Sequence, residues 1–191
     1  MIKEAPESVT GYSLLADYYA KKNDFDNAEK YAMETLKRTK TGNKYVFDIL
    51  ANIAASRGHF DQALALYQKS IALDPSSAGG YLGIGSIYFA TGQYQKALEV
   101  YEFAIEKSQN TKRLPIDRVL PYAATLAKLK QYEKSLQVLQ DFAKGYEDDK
   151  FVRFIKAVNL YKMGQRQEAQ AYFDWDTAKS YDEKILILEN Y

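Results

Sequence analysis

Four glycines, Gly79, Gly80, Gly83 and Gly85, lie within seven positions just ahead of an apolar run. A glycine-rich loop that opens a helix can bind phosphate through its backbone N–H groups, so these residues raise the question of a nucleotide site. Such a loop follows a buried strand, whereas the preceding segment KSIALDP has the pattern of a helix end. The spacing also fails, because a third glycine would be needed at Tyr88, and no Gly-Lys-Ser/Thr element occurs in the chain. We therefore conclude that the glycines are not a phosphate site, and we interpret Gly85 as a packing residue.

Other residues that could do chemistry are sparse. The only histidine, His59, lies in a turn, whereas a metal site needs several ligands and a catalytic triad needs a nucleophile and an orienting carboxylate. There are no cysteines, so thiolate chemistry and disulfides are excluded. Paired carboxylates such as Asp148 and Asp149 stand at turns and helix starts, where they favour the helix dipole. The sequence predicts a protein that is not an enzyme, with no catalytic residues, no cofactor and no metal.

Composition bounds the kinds of partner. The 191 residues include 26 basic and 25 acidic side chains, a balance that gives no indication of a nucleic-acid or membrane-surface binder. The N-terminus lacks the apolar region of a secretory signal, and no stretch reaches the ~20 apolar residues that span a bilayer. We expect a soluble protein, cytoplasmic by default, with no membrane insertion. Export stays open if a leader has been removed.

The elements that position these residues repeat along the chain. A small residue recurs at intervals of 35, 34, 38 and 34 residues: Ala28, Ala63, Ala97, Ser135 and Ala169. An aromatic residue precedes it by three positions in the first four cases: Phe25, Phe60, Tyr94 and Tyr132. Turn residues keep the same phase: Gly58, Gly92 and Gly164, with Asn23 and Lys130 in the equivalent places. Five units therefore share one template.

Each unit has the pattern of two helices. In the third unit, apolar and small residues recur at i, i+3, i+4 and i+7, which indicates one face of a helix, and Gly92 is suited to ending it. Gly85 and Ala97 are the small residues at which the two helices are expected to cross, with axes ~8–10 Å apart. A pair this short cannot bury its apolar stripe alone, so we expect the units to stack on one another.

This pattern resembles the tetratricopeptide repeat family, most clearly over residues 47–75 and 81–105. The resemblance implies an all-α solenoid, a right-handed superhelix of five helix-turn-helix repeats plus a C-terminal helix. First helices would line a concave groove, and second helices would form the convex face. A single array would fill residues 1–191, with these divisions: repeats at about 9–42, 44–77, 78–111, 116–149 and 150–180, and a capping helix at about 181–191.

The template is broken between the third and fourth units. Four extra residues fall within 107–118, and Pro121 lies where a helix is expected. Proline is tolerated in the first turn of a helix but not deep within it. We therefore expect the helix to start near Asp117, with Asp117 as a candidate cap, or to kink at Pro121.

The resemblance implies a non-enzymatic scaffold whose groove binds a protein or peptide segment. The groove is expected to contain these residues: Thr10, Ser13, Asp17, Tyr45, Asp48, Asn52, Gly79, Leu82, Gly83, Ser86, Phe89, Lys128, Lys156, Asn159 and Lys162. Its charge would run from acidic to basic, although a solvated face without such a design explains the pattern equally well. Gly79 and Gly83 would form a bare groove floor, or alternatively a frayed helix start that tolerates glycine.

Two functions found in the family can be compared with this sequence. Members that clamp the acidic C-terminal tail of Hsp70 or Hsp90 use Lys, Asn and Arg at inner-helix positions. The matching residues here are different: Ser13, Asp17, Ile49, Gly79 and Gly83. RNA-reading relatives are disfavoured by the neutral charge. Two alternatives to the scaffold remain, namely a self-assembly module that forms homo-oligomers through its terminal repeats, and an accessory subunit of an enzyme complex.

Overall fold

The computed structural model describes residues 8–107 and 116–172. These two stretches form ten α-helices, arranged as five consecutive pairs, and contain no strand. The helices are α1 (Val9–Lys21), α2 (Phe25–Arg38), α3 (Lys44–Ser56), α4 (Phe60–Leu73), α5 (Ala78–Ala90), α6 (Tyr94–Lys107), α7 (Ile116–Lys128), α8 (Tyr132–Phe142), α9 (Lys150–Lys162) and α10 (Arg166–Tyr172). The predicted all-α fold of paired helices is confirmed.

The turn inside each pair uses a left-handed backbone conformation. All five residues predicted at this place have positive φ: Asn23, Gly58, Gly92, Lys130 and Gly164. Three of them are glycine, which adopts positive φ without steric cost, and asparagine tolerates it better than most residues. Helix α2 then begins with a side-chain cap, because the Asp24 carboxylate accepts a hydrogen bond from the Asn27 N–H. The turn chemistry therefore ends the first helix and starts the second within a few residues.

The small residue of each second helix is buried. Solvent reaches almost none of the five predicted positions: Ala28, Ala63, Ala97, Ser135 and Ala169. Around Ala63 the core includes Ala51, Ala54, Tyr67 and Ile87. Side chains this small let two helices approach closely, so that larger neighbours fill the space on either side.

The described residues divide into two compact units. Unit 1 contains residues 8–87 and 103–107; within it α1 packs on α2, α3 packs on α4, and α3 also contacts both α1 and α2. Unit 2 contains residues 88–102 and 116–172; within it α7 packs on α8, α9 packs on α10, and α9 also contacts both α7 and α8. In unit 1 the pair α1–α2 therefore packs on the first helix of the next pair, α3. In unit 2 the pair α7–α8 packs on α9 in the same way.

The fourth pair starts where the sequence predicts. Helix α7 begins at Ile116, one residue before the predicted start, and Pro121 is its sixth residue. Asp117 lies inside the helix, so its candidate role as the cap is wrong. The irregular connection at 108–115 and the C-terminal capping helix at 181–191 lie outside the described residues. They stay predictions, as does the division of the whole chain into a single array.

Replacing Ala63 with leucine should lower the free energy of unfolding by ~1–3 kcal/mol, because the added methyl groups would enter a filled core. Ala65, on the exposed side of the same helix, provides the control, and Ala65→Leu should leave the melting temperature nearly unchanged. Thermal unfolding followed by circular dichroism measures both. Equal melting temperatures for the two variants would contradict the packing described for Ala63.

Candidate partner-binding surface

Two predicted groove residues, Asp48 of α3 and Gly79 of α5, lie side by side in unit 1. A Cβ added at Gly79 would lie 3.5 Å from Oδ2 of Asp48, and helix α1 packs against α3. We use the name inner surface of unit 1 for the groove residues predicted on these first helices: Thr10, Ser13, Asp17, Tyr45, Asp48, Asn52, Gly79 and Ser86. Its side chains are mainly polar, and one of them is a large aromatic ring.

Tyr45 is the most exposed large side chain of this surface. Its ring is 70% exposed, and the Lys44 ammonium lies 4.5 Å from the ring centroid. On α1, the Asp17 carboxylate accepts a hydrogen bond from the Lys21 ammonium at 2.7 Å. Tyr45 and Asp17 therefore each already have a cationic neighbour. A cation over an aromatic ring is attracted by the ring's quadrupole.

The Lys44–Asp48 ion pair lies deeper in the surface. The two charged groups are 3.4 Å apart, and both side chains are largely buried. The other carboxylate oxygen of Asp48, Oδ1, is buried and has no hydrogen-bond partner among the described residues. The pKa of Asp74 is lowered, chiefly by the hydroxyl of Ser76 and also by the charge of Lys44. Lys44 therefore links α3 electrostatically to the turn before α5, and Asp48 has a structural partner inside the protein.

Tyr67 connects the second helix α4 to the inner surface. Its side chain is buried, and its hydroxyl donates a hydrogen bond to Oδ1 of Asn52 at 2.5 Å. A Cβ added at Gly83 would lie 2.7 Å from Cε2 of this ring and closer still to Cζ and Cε1. The tyrosine ring thus passes against the bare backbone of α5 to reach the exposed Asn52 amide. The hydrogen bond holds that amide in one orientation.

The predicted bare groove floor is therefore wrong at Gly83. Gly83 is buried, and the Tyr67 ring occupies the space where its side chain would be. Gly79 is different, because an added Cβ would meet only ordinary van der Waals neighbours, Asp48 and Ser77. Gly79 alone keeps the role predicted for both glycines.

Two other predicted groove residues are core residues. Leu82 is 2% exposed and Asn159 is fully buried, so neither presents its side chain to a partner. Leu82 is on the covered side of α5, next to buried Gly83. The Asn159 amide donates a hydrogen bond to Oγ of Ser135 inside unit 2. The prediction placed Asn159 outside because it is polar, whereas its partner is another buried polar group.

The remaining predicted residues belong to unit 2. Phe89 is half-buried against Tyr94, with ring centroids 5.7 Å apart. Lys162 is exposed and Lys128 is half-buried. Lys156 instead has its ammonium 5.3 Å from the ring centroid of Tyr172 of α10. It lines a pocket of about 680 Å³ together with residues of α8 and α10. The continuous groove that runs from acidic to basic remains a prediction.

Two exposed apolar residues on α1 were missed from the sequence. Leu14 and Tyr18 are 50% and 54% exposed, whereas their equivalents on α3, Ile49 and Ile53, are buried. The equivalents on α3 are covered because a helix pair precedes them. The order of the repeats could have indicated this exposure, because no helix pair precedes α1 within the described residues.

The described stretches also bear on metal binding and on membrane crossing. They hold no group of three His, Asp or Glu side chains arranged to bind a metal ion. His59 precedes α4 without forming a side-chain cap hydrogen bond. Among the ten helices, none combines the length and the apolar character that a membrane crossing requires.

Known sequences match this chain over its helical repeats. Models of the tetratricopeptide repeat match residues 9–40 and 50–110. The protein O-mannosyl-transferase TMTC1 of Mus musculus is 25% identical over 144 residues, and that of Homo sapiens is 27% identical over the same length. Each match covers 74% of this chain. The chain spans only 14% and 15% of the length of these relatives.

Solved structures share the fold. The crystal structure of MamA superposes with a TM-score of 0.61 at 22% identity, covering 87% of this chain and 88% of MamA. YrrB, described as a TPR protein with an unusual peptide-binding site, superposes with a TM-score of 0.58 at 14% identity. That match covers 90% of this chain and 86% of YrrB. At these identities the likeness establishes the fold alone.

Replacing Gly83 with alanine should destabilise the protein, whereas Gly79→Ala should leave its stability equal or slightly higher. Alanine favours the helix by ~1 kcal/mol at either position, but at Gly83 the clash with the Tyr67 ring should cost ~1–3 kcal/mol. Urea unfolding of the two variants measures the difference. If Gly83→Ala is as stable as Gly79→Ala, the Tyr67 ring does not fill that space.

Proposed function

Because the chain belongs to the tetratricopeptide repeat family, we propose that it is a non-enzymatic scaffold that binds a segment of a partner protein on the inner surface of unit 1. Peptide binding is described for YrrB, which has the same fold, and this supports the class of function. The O-mannosyl-transferase relatives match over 14–15% of their length, so their activity is not carried over to this chain.

One observation carries the proposal: Tyr45 is 70% exposed and lies on the same helix as Asp48 and Asn52, whose polar side chains already have partners. Asn52 accepts a hydrogen bond from Tyr67, and Asp17 is paired with Lys21. Side chains ordered before binding lose less conformational entropy when a partner arrives. Exposed aromatic residues in such settings often carry much of the binding energy.

The chemistry of this surface favours a particular kind of segment. Tyr45 offers a flat apolar contact, and the Asn52 amide is suited to hydrogen bonding with the backbone of an extended peptide. Asp17 and Asp48 are each paired with a lysine, so these carboxylates add little net charge to the surface. The partner we propose is therefore a largely uncharged segment that contacts the Tyr45 ring.

The test begins by identifying the segment with a photo-crosslinking phenylalanine analogue placed at Tyr45. Binding of the captured segment is then measured for Tyr45→Ala and Asn52→Ala by calorimetry. We expect Tyr45→Ala to weaken binding tenfold or more, which corresponds to about 1.4 kcal/mol. Asn52→Ala should weaken it less.

The matched control for this binding experiment is Gln68→Ala, an exposed position on the second helix α4. It should bind as the unmodified protein does. Unchanged affinity in both inner-surface variants, with their melting temperatures intact, would contradict the proposed surface. A loss of affinity confined to Gln68→Ala would place the partner on the second helices instead.

Self-association is a second candidate function, and the exposure of Leu14 and Tyr18 favours it. These side chains occupy positions that a preceding helix pair covers on α3 and α9. Another copy of the chain could supply the missing apolar contact. Exposed apolar groups at the end of a repeat stack are places where association gains the most.

The double substitution Leu14→Ser with Tyr18→Ser should abolish such association. Light scattering across a hundredfold range of concentration measures the molecular mass of both forms. Growth of the mass in the unmodified chain and its loss in the variant would support the second candidate. A constant monomer mass in the unmodified chain would reject it and leave the first proposal unaffected.

A further inference from the structure

Two departures from the repeat template meet inside unit 2. The position that holds alanine in α2, α4, α6 and α10 holds Ser135 in α8. The position that holds Ile53 in α3 and Ile87 in α5 holds Asn159 in α9. Both polar side chains are fully buried. A buried polar group costs free energy unless it is hydrogen-bonded, so the two departures call for a common explanation.

The two side chains form a hydrogen-bonded chain across three helices. Nδ2 of Asn159 on α9 donates to Oγ of Ser135 on α8 at 2.7 Å. The Ser135 hydroxyl donates in turn to the backbone carbonyl of Ala123 on α7, also at 2.7 Å. The other amide atom of Asn159, Oδ1, is buried and finds no hydrogen-bond donor within the described residues. Asn159 therefore depends on Ser135 for the one hydrogen bond that its side chain forms there.

We propose that the Asn159–Ser135 pair is a registration device that fixes how the fifth helix pair stacks on the fourth. A purely apolar contact between helices resists sliding through packing alone, whereas a buried polar pair adds the cost of leaving polar groups without partners. A slide of α9 along α8 by one turn, about 5.4 Å, would bury the Asn159 amide without a partner. A single buried asparagine fixes register in this way in coiled coils.

The pair also discriminates between helices of the same chain. Helix α3 and helix α5 present isoleucine where α9 presents Asn159. If either took the place of α9 on α8, the Ser135 hydroxyl would keep its bond to Ala123 but face an apolar side chain. If α9 stacked instead on a second helix that carries alanine, Asn159 would be buried without a partner. Only the Asn159–Ser135 combination satisfies both groups.

The pair is proposed to select one stacking arrangement rather than to raise stability. The single and double variants should therefore differ in melting temperature in a characteristic order. Ser135→Ala should lower the melting temperature, because it leaves the Asn159 amide buried without its partner. Asn159→Leu should have a smaller effect, because Ser135 keeps the Ala123 carbonyl. The double variant Asn159→Leu with Ser135→Ala should melt at or above the temperature of the unmodified chain, since apolar groups of similar volume replace the pair.

Register is read from distances between two spin labels, which the absence of native cysteines makes straightforward. Lys134→Cys on α8 and Lys150→Cys on α9 are exposed positions for the labels. Pulsed electron paramagnetic resonance should give one narrow distance distribution when the Asn159–Ser135 pair is present. In the double apolar variant, and to a smaller extent in Asn159→Leu alone, we expect a second distance that differs by several ångströms.

A single unchanged distance in the double variant would overturn the proposal, whether its melting temperature rises or falls. In that case the pair would contribute to stability without setting register. Should the double variant fail to fold, Asn159→Leu decides the question by the same measurement. A second distance in that variant supports the device, and a single unchanged distance rejects it.

Discussion

A pair of helices with at most 14 residues each cannot bury its own apolar stripe, and the rest of the described structure depends on that constraint. Each pair must lie against another, and the axes can approach only where a side chain is small. Ala28 and Ala63 meet this requirement in unit 1, and both are fully buried. Because the approach is set at one residue per second helix, the neighbouring positions are free to carry large or polar side chains.

The missing side chain at Gly83 leaves space through which the buried Tyr67 extends to the exposed Asn52. Without a side chain at Gly83, the ring of Tyr67 lies against the backbone of α5, and its hydroxyl meets Asn52 on α3. A residue whose ring belongs to the core thereby orients an amide at the exposed inner surface. Core packing and the orientation of a surface amide therefore depend on the same side chain, Tyr67.

The features predicted correctly from the sequence depend on local backbone chemistry. The left-handed turn at Gly58 and the start of α7 near Asp117 follow from residues close in the chain. The errors at Leu82 and Asn159 share a different cause. Helical periodicity assigns a residue to one side of its own helix, but the neighbouring pair decides whether that side is covered. A polar residue such as Asn159 is then assigned to solvent, because its buried partner is 24 residues away.

Departures from the repeat template separate into two kinds when their surroundings are compared. Ser135 and Asn159 replace small and apolar residues, yet Asn159 donates a hydrogen bond to Ser135, and Ser135 donates one to the Ala123 carbonyl. Tyr18 and Tyr45 are large aromatic residues that no neighbouring helix pair covers. The buried pair has its partners inside the protein, and the role proposed for it is to fix how the repeats stack. A departure left exposed gains little for the isolated fold, and the proposed contact with another molecule would give it a physical value.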